Sequence, residues 1–146
     1  MFERFTEKSR AIMVQAQQES RNMGHNFVGT EQILLGILSE GNNEAASALL
    51  DMTIQLQDAR KEVQQIIGLG SGFTDAEIPF TPRAMRVLEL SFEEAKKFND
   101  ENIEPKHLLL GILLEGDGVA AVVVRKLAAF PDTILQDLYA SFGMTA

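Results

Sequence analysis

The sequence ILLGILSEG from Ile33 to Gly41 returns as LLLGILLEG from Leu108 to Gly116, 75 residues later. The register extends outward without a gap: Phe5-Thr6 falls on Phe80-Thr81, Glu19 on Glu94, Ala45-Ala46 on Ala120-Ala121 and Gly68 on Gly143. The chain is therefore one unit written twice, residues 5–68 and 80–143, joined by a linker at 69–79. Such a repeat constrains the fold strongly, because each copy must bury the same apolar face. Two copies are too few to stack into a solenoid. They imply a compact pair related by a pseudo-twofold axis within one domain, residues 1–146.

Each copy reads as four helices, which predicts an all-α fold. Thr6 stands where an N-cap is needed, ahead of an apolar stripe of Ile12, Met13, Ala16 and Met23. In the second copy, Thr81-Pro82 supplies a cap followed by proline at the first helical position. Thr30 is expected to cap helix two, which runs to about Glu40 and stops at Gly41. Residues 44–52 and 55–67 make helices three and four, and Gly68 closes the last. The second copy predicts helices at 81–98, 105–115, 117–128 and 132–142. The only strand candidate is the short Glu77-Ile78-Pro79 stretch.

Leu34, Leu35, Ile37 and Leu38, with Leu109, Leu110, Ile112 and Leu113, are too apolar for surface helices and form the expected core. Gly36 and Gly111 each weaken a helix interior by about 1 kcal/mol relative to alanine. Their presence in both copies predicts a close helix crossing there. Gly70, Gly72 and Pro79 make the linker non-helical, and Phe73 and Ile78 predict that it lies against the protein.

Composition and motifs remove whole classes of function. A net charge of −8 repels phosphate backbones, which argues against nucleic acid as a partner. No apolar run is long enough to span a bilayer, and Met1 to Phe5 opens neither a signal nor a transit peptide. The expected setting is the cytoplasm, or the plastid stroma for a plastid-encoded or processed form. The absence of cysteine excludes disulfides and thiolate chemistry. His25 and His107 occupy different repeat positions, and neither has a second His or a Cys at ligand spacing, so no metal is expected. Gly70-Ser71-Gly72 follows no strand and reads as linker, and no P-loop motif is present, so no nucleotide cofactor is expected. The reading is of a non-catalytic protein, with an unrecognised enzyme as the remote alternative.

The polar stretch Gly24 to Glu31 is the candidate site, with His25, Asn26, Gly29, Thr30 and Glu31 as its residues. Helix two starts there, and free backbone N–H groups with the positive end of the dipole favour an anion. Glu31 adds a carboxylate that suits a guanidinium. A plain N-cap with an acidic first turn would read the same way.

Phe5-Thr6-Glu7-Lys8, Gly24-His25-Asn26 and Gly29-Thr30-Glu31-Gln32-Ile33-Leu34-Leu35-Gly36 resemble the N-terminal repeat domain of Clp-type AAA+ unfoldases, the ClpC type above all. Gly70-Ser71-Gly72-Phe73 and Glu77 to Ala84 resemble its plastid and cyanobacterial form. The resemblance implies two four-helix repeats that receive unfolded clients or adaptor proteins for an unfoldase and its ClpP-type protease. It also implies that the Glu31 position holds the guanidinium of a phosphorylated arginine in some members. Where the family repeats its motif, this chain has Asn99-Asp100-Glu101-Asn102-Ile103-Glu104-Pro105-Lys106. Pro105 lacks a donor, Glu104 opposes a phosphate and Lys106 opposes a guanidinium, so the second copy of the site is expected to be dead. The outward faces of 6–23 and 81–98 are the alternative partner surface.

The chain begins with a methionine, carries the full double repeat and diverges from the family after Ala128. The first expectation is therefore a free-standing accessory or adaptor protein, for which small plastid ClpT proteins set a precedent. The second is the N-terminal domain of a full-length ClpC chaperone.

Overall fold

The computed structural model describes residues 2–72 and 78–144. The first copy contributes α1 (Glu7–Asn22), α2 (Thr30–Glu40), α3 (Glu44–Asp51) and α4 (Leu56–Ile67). The second contributes α5 (Pro82–Lys97), α6 (Pro105–Glu115), α7 (Val119–Leu127) and α8 (Ile134–Ser141), the last preceded by a 3-10 turn at Pro131–Thr133. The fold is the expected all-α pair of repeats.

Local chemistry sets most boundaries. Thr6 and Thr81 cap α1 and α5 by accepting from Ser9 N and Ala84 N, at 3.2 and 3.1 Å. Gly41 and Gly116 end α2 and α6 in the left-handed region, with φ of 74° and 78°.

Within each copy the first two helices form the tightest pair, α1 on α2 and α5 on α6. The two glycines allow it: a Cβ on Gly36 would lie 2.5 Å from Ile12 O, and one on Gly111 would lie 2.6 Å from Val87 O. Leu34, Leu35, Ile37, Leu109, Leu110, Ile112 and Leu113 are buried, and Leu38 is half-buried. The copies then interlock, α2 and α4 against α7 and α3 against α6. Among the described residues no single helix is long and apolar enough to cross a membrane, and α6 and α7, apolar as a pair, are bent by 96° within the core.

Two backbone straps tie the copies head to waist. Val28 N donates to Pro79 O and Thr81 N to Val28 O, at 2.8 and 2.9 Å. Their repeat counterparts are Ile103 N to Arg4 O and Thr6 N to Ile103 O, at 2.7 and 3.2 Å. These parallel one-residue bridges replace the expected strand: Ile78 is buried and Pro79 supplies an acceptor, while Glu77 and Phe73 lie outside the described residues. The start of the linker is pinned as well, with Gly70 N donating to Met23 O at 2.8 Å.

Candidate functional site

The straps place the start of α5 beside the start of α2. A groove of about 390 Å³ results, lined by Gly29, Thr30 and Glu31 from the first copy and by Thr81, Pro82, Arg83, Asp117, Gly118 and Val119 from the second. Three of the five sequence-derived site residues meet in it. His25 does not line it: its ring turns to the end of α4, donates Nε2–H to Gly68 O at 2.9 Å and lies 4.9 Å from the Phe27 ring. Asn26 is exposed on the loop and lines no part of the groove either.

The start of α2 differs from expectation in one respect. The N-cap is Gly29, and Thr30 is the first helical residue. The Thr30 hydroxyl instead accepts from Ala120 N at 3.2 Å, so it caps α7 of the other copy. Gly118, the N-cap residue of α7, has no side chain with which to do so. A Cβ on Gly118 would lie 2.5 Å from Thr30 Oγ1, so the glycine is what lets the hydroxyl in.

Glu31 folds back over the helix start. A Cβ on Gly29 would meet both carboxylate oxygens, at 2.5 and 2.7 Å. Burial pushes the Glu31 carboxyl above its ordinary value, while its own backbone N–H and nearby His25 act against that rise. Gln32 Oε1 accepts from Gly29 N at 2.6 Å, and Gln32 Nε2 is buried with no hydrogen-bond partner among the described residues. Gln32 N donates to Gly29 O. Much of the donor set that would receive an anion at this helix start is therefore already committed.

Arg83 supplies the cation. Its Nη1 lies 2.9 Å from Glu115 Oε2 and 4.0 Å from Asp117 Oδ2, yet its side chain remains 58% exposed and can turn. Sequence reasoning did not single it out. The available signal was register: Lys8 and Arg83 put a base at the same place in both copies.

The second copy of the site builds a different network. His107, the counterpart of Gln32, accepts from Glu104 N through Nδ1 at 2.9 Å. A backbone N–H can only donate, so the imidazole proton sits on Nε2 and is donated to Asp100 Oδ2 at 2.8 Å. Burial lowers the His107 pKa, with Asp100 opposing. Asp100, Glu104 and His107 bring potential ligand atoms within 4.8 Å of one another, a clustering that a search for His and Cys pairs overlooks. A metal on Nε2 would have to displace the proton that the capping bond places there, so the trio is a helix-start network.

A groove of about 580 Å³ runs along α5 and includes Phe5, Leu88, Phe92 and Ile103. Phe92 is 42% exposed, and the Arg4 guanidinium sits 5.7 Å from its ring centroid. It lies on the 81–98 helix named above as an alternative surface.

Comparison with known proteins places these features. The pattern of the Clp repeat (R) N-terminal domain family matches residues 4–127. Chloroplastic chaperone protein ClpC1 of Oryza sativa subsp. japonica is 60% identical over 134 residues, covering 92% of this chain and 15% of that protein. The ClpA homolog ATP-binding subunit of the Clp protease from Porphyra purpurea is 53% identical over 146 residues, covering 100% of this chain and 18% of that protein. The chain thus spans less than a fifth of the length of these relatives. The crystal structure of the N-terminal domain of ClpD from Arabidopsis thaliana superposes with a TM-score of 0.80 at 25% identity, over 98% of this chain and 97% of that one. The Hsp104 N-terminal domain from Candida albicans shares the fold, with a TM-score of 0.77 at 15% identity over 98% and 94% of the two chains.

Proposed function

Because the chain belongs to the Clp repeat N-terminal domain family, a non-catalytic protein-interaction module of Clp chaperone systems, we propose that it receives substrates and adaptors for a ClpC-type unfoldase. The relatives carry this region as 15–18% of a longer protein. That supports an N-terminal domain of a ClpC chaperone over a free-standing accessory protein. Several relatives are chloroplastic by name, which supports the plastid stroma as the compartment. The partners on this reading are client proteins, adaptors and the Clp unfoldase and protease components.

The groove between the copies takes a phosphorylated arginine side chain. One observation carries this: Glu31 and Arg83, of opposite charge, line the same groove. A ligand whose phosphate is bonded directly to a guanidinium nitrogen complements such a pair, guanidinium to Glu31 and phosphate to Arg83, through charge-assisted hydrogen bonds. The committed donors at the start of α2 favour Arg83 over the backbone as the phosphate partner. To meet the phosphate Arg83 turns away from exposed Asp117 and from Glu115, whose carboxylate is buried but keeps the Asp117 and Gly118 N–H donors on Oε1.

The test is a phosphoarginine titration followed by NMR. Shifts are expected at residues 29–31 and 83, lost in Glu31→Gln and weakened in Arg83→Ala, with none at 104–106. Equal shifts at both helix starts, or indifference to Arg83, would refute the assignment. A second reading rests on exposed Phe92: the α5 groove takes apolar segments of clients or adaptors, and Phe92→Ala weakens their binding without affecting phosphoarginine.

A further inference from the structure

The repeat gives every seam a counterpart, and one seam has been left open. On one side, α4 packs along α7, and Lys126 Nζ lies 2.8 Å from Glu62 Oε2. The repeat counterparts of Lys126 and Glu62 are Asp51 on α3 and Asp137 on α8. Here the helices make at most marginal contact. The second copy reaches this place with a shorter helix, because the 3-10 turn Pro131–Thr133 stands where α4 has its first turn. A cleft of about 170 Å³ remains, lined by Ala48, Asp51, Met52, Phe130, Asp137 and Ser141.

Phe130 stands at this cleft 77% exposed, further out than any other large hydrophobic side chain among the described residues. Its backbone is held in place, since neighbouring Ala129 N donates to Met52 O at 3.2 Å. Asp137 accepts from the Thr133 hydroxyl at 2.8 Å, and among the described residues no base pairs with Asp51, Asp132 or Asp137. Phe130, Asp137 and Ser141 lie beyond the 4–127 span matched by the family pattern.

We infer that this cleft docks a segment of another polypeptide presenting a lysine or arginine beside an apolar residue. The molecule shows the missing half itself: in the closed seam the acid faces an ammonium, and in the open one it faces a second acid. An incoming cation completes the charge pattern between Asp51 and Asp137. Its aliphatic stem and apolar neighbour cover Ala48 and Met52, and the Phe130 ring offers its face to the cation. Complementary charge around an apolar anchor is what gives such a contact its specificity. The cleft shares no residue with the Glu31–Arg83 groove, so the inference stands apart from the phosphoarginine reading.

The experiment uses the 146-residue chain and a labelled synthetic peptide, Leu-Lys-Leu-Phe-Arg-Leu, read by NMR shifts and fluorescence anisotropy. Shifts are expected at 48–52 and 130–141. Phe130→Ala removes the anchor. Asp51→Lys, at the counterpart of Lys126, supplies the ammonium internally and copies the Lys126–Glu62 seam. Each should weaken binding by about tenfold or more, whereas Asp58→Lys, with the same change in charge, leaves it within about twofold; a tenfold loss corresponds to about 1.4 kcal/mol. A peptide with glutamate in place of both bases should not bind. Equal weakening by Asp58→Lys, indifference to Phe130→Ala, shifts confined to the Phe92 groove, or no binding each overturn the inference. Concentration-dependent shifts around Phe130 without peptide would do so too, by making a second copy of the chain the occupant.

Discussion

The groove at the start of α2 and the groove at the start of α6 are the same place in the two copies. The first has Gly29, Thr30 and Glu31 facing Thr81, Arg83, Gly118 and Val119. The second, of about 300 Å³, has Glu104 and Pro105 facing Thr6, Lys8, Asn43 and Glu44. Position by position these are counterparts, so the backbone frame is shared and the chemistry is not. In the first seam α7 has no cap of its own and borrows the Thr30 hydroxyl. In the second, α3 caps itself, Asn43 Oδ1 accepting from Ala46 N at 2.8 Å, and proline stands where threonine was. The cap has moved from one side of the seam to the other. Charge has moved as well. Arg83 faces a groove containing one carboxylate from α2, while Lys8 is bonded to Asn42 O and Glu104 lies near Glu44. Burial, then the carboxylates of Glu104 and Asp100, raise the Glu44 pKa against Lys106. A fold held by a doubled apolar pattern leaves its polar seams free to diverge, provided that changes on the two sides compensate.

The largest expected effects test the shared frame. Leu35→Ala and Leu110→Ala, both at fully buried counterpart positions, should each cost about 2–5 kcal/mol in urea unfolding. A cost under about 1 kcal/mol at one of them would break the equivalence of the copies.

Next comes the transposed cap. Thr30→Ala should cost about 1–2 kcal/mol by removing the partner of Ala120 N. Gly118→Asn alone should destabilise, because its Cβ would collide with Thr30. Combined with Thr30→Ala it should regain much of the loss by restoring a local cap. A double-mutant cycle with a coupling near zero would mean that the two sides do not compensate.

The two helix starts also differ in pH response. The folded-state pKa of His107 is lowered below its ordinary 6.5. The unfolded chain therefore binds the proton first as pH falls. Stability from neutral His107 is fully present above about pH 6.5 and is lost as pH falls through the lowered value. His107→Gln, which copies Gln32, should flatten thermal stability over that acidic range. An unchanged slope would remove His107 as its source.

The smallest effect is expected at Glu31, whose folded-state pKa is raised above its ordinary 4.5. Here the unfolded chain gives up its proton first, so stability falls as pH rises from the ordinary value through the raised one. Glu31→Gln should raise Tm slightly at neutral pH, and the gain should shrink in acid, even as phosphoarginine binding is lost. A Tm that falls at pH 7 would show that the carboxylate serves the fold rather than a ligand.

Elements governed by neighbours in the chain could be read from the sequence. Thr6 and Thr81 act three residues away, Gly41 and Gly116 end their helices by backbone conformation, and the apolar spacing of 33–38 and 108–113 places the core. Gly36 and Gly111 even announced the crossing that they permit. Buried Glu19 and Glu94 share a register that was visible, yet one pairs with Arg60 and the other with the Tyr139 hydroxyl, because Leu135 stands at the counterpart of Arg60 and Gln64 at that of Tyr139.

What only the tertiary structure decided is which chemistry faces which. The sequence placed Thr30 at its own helix start, but its hydroxyl serves an amide 90 residues away. Glu31 was legible as a carboxylate awaiting a partner, whereas Arg83, Gly118 and the closed or open state of each seam were not. Short-range hydrogen bonds and periodicity are written in the order of residues. The partners across a seam follow from how two nearly identical apolar faces dock, and the Val28 and Ile103 straps hold that docking in a register no local pattern encodes.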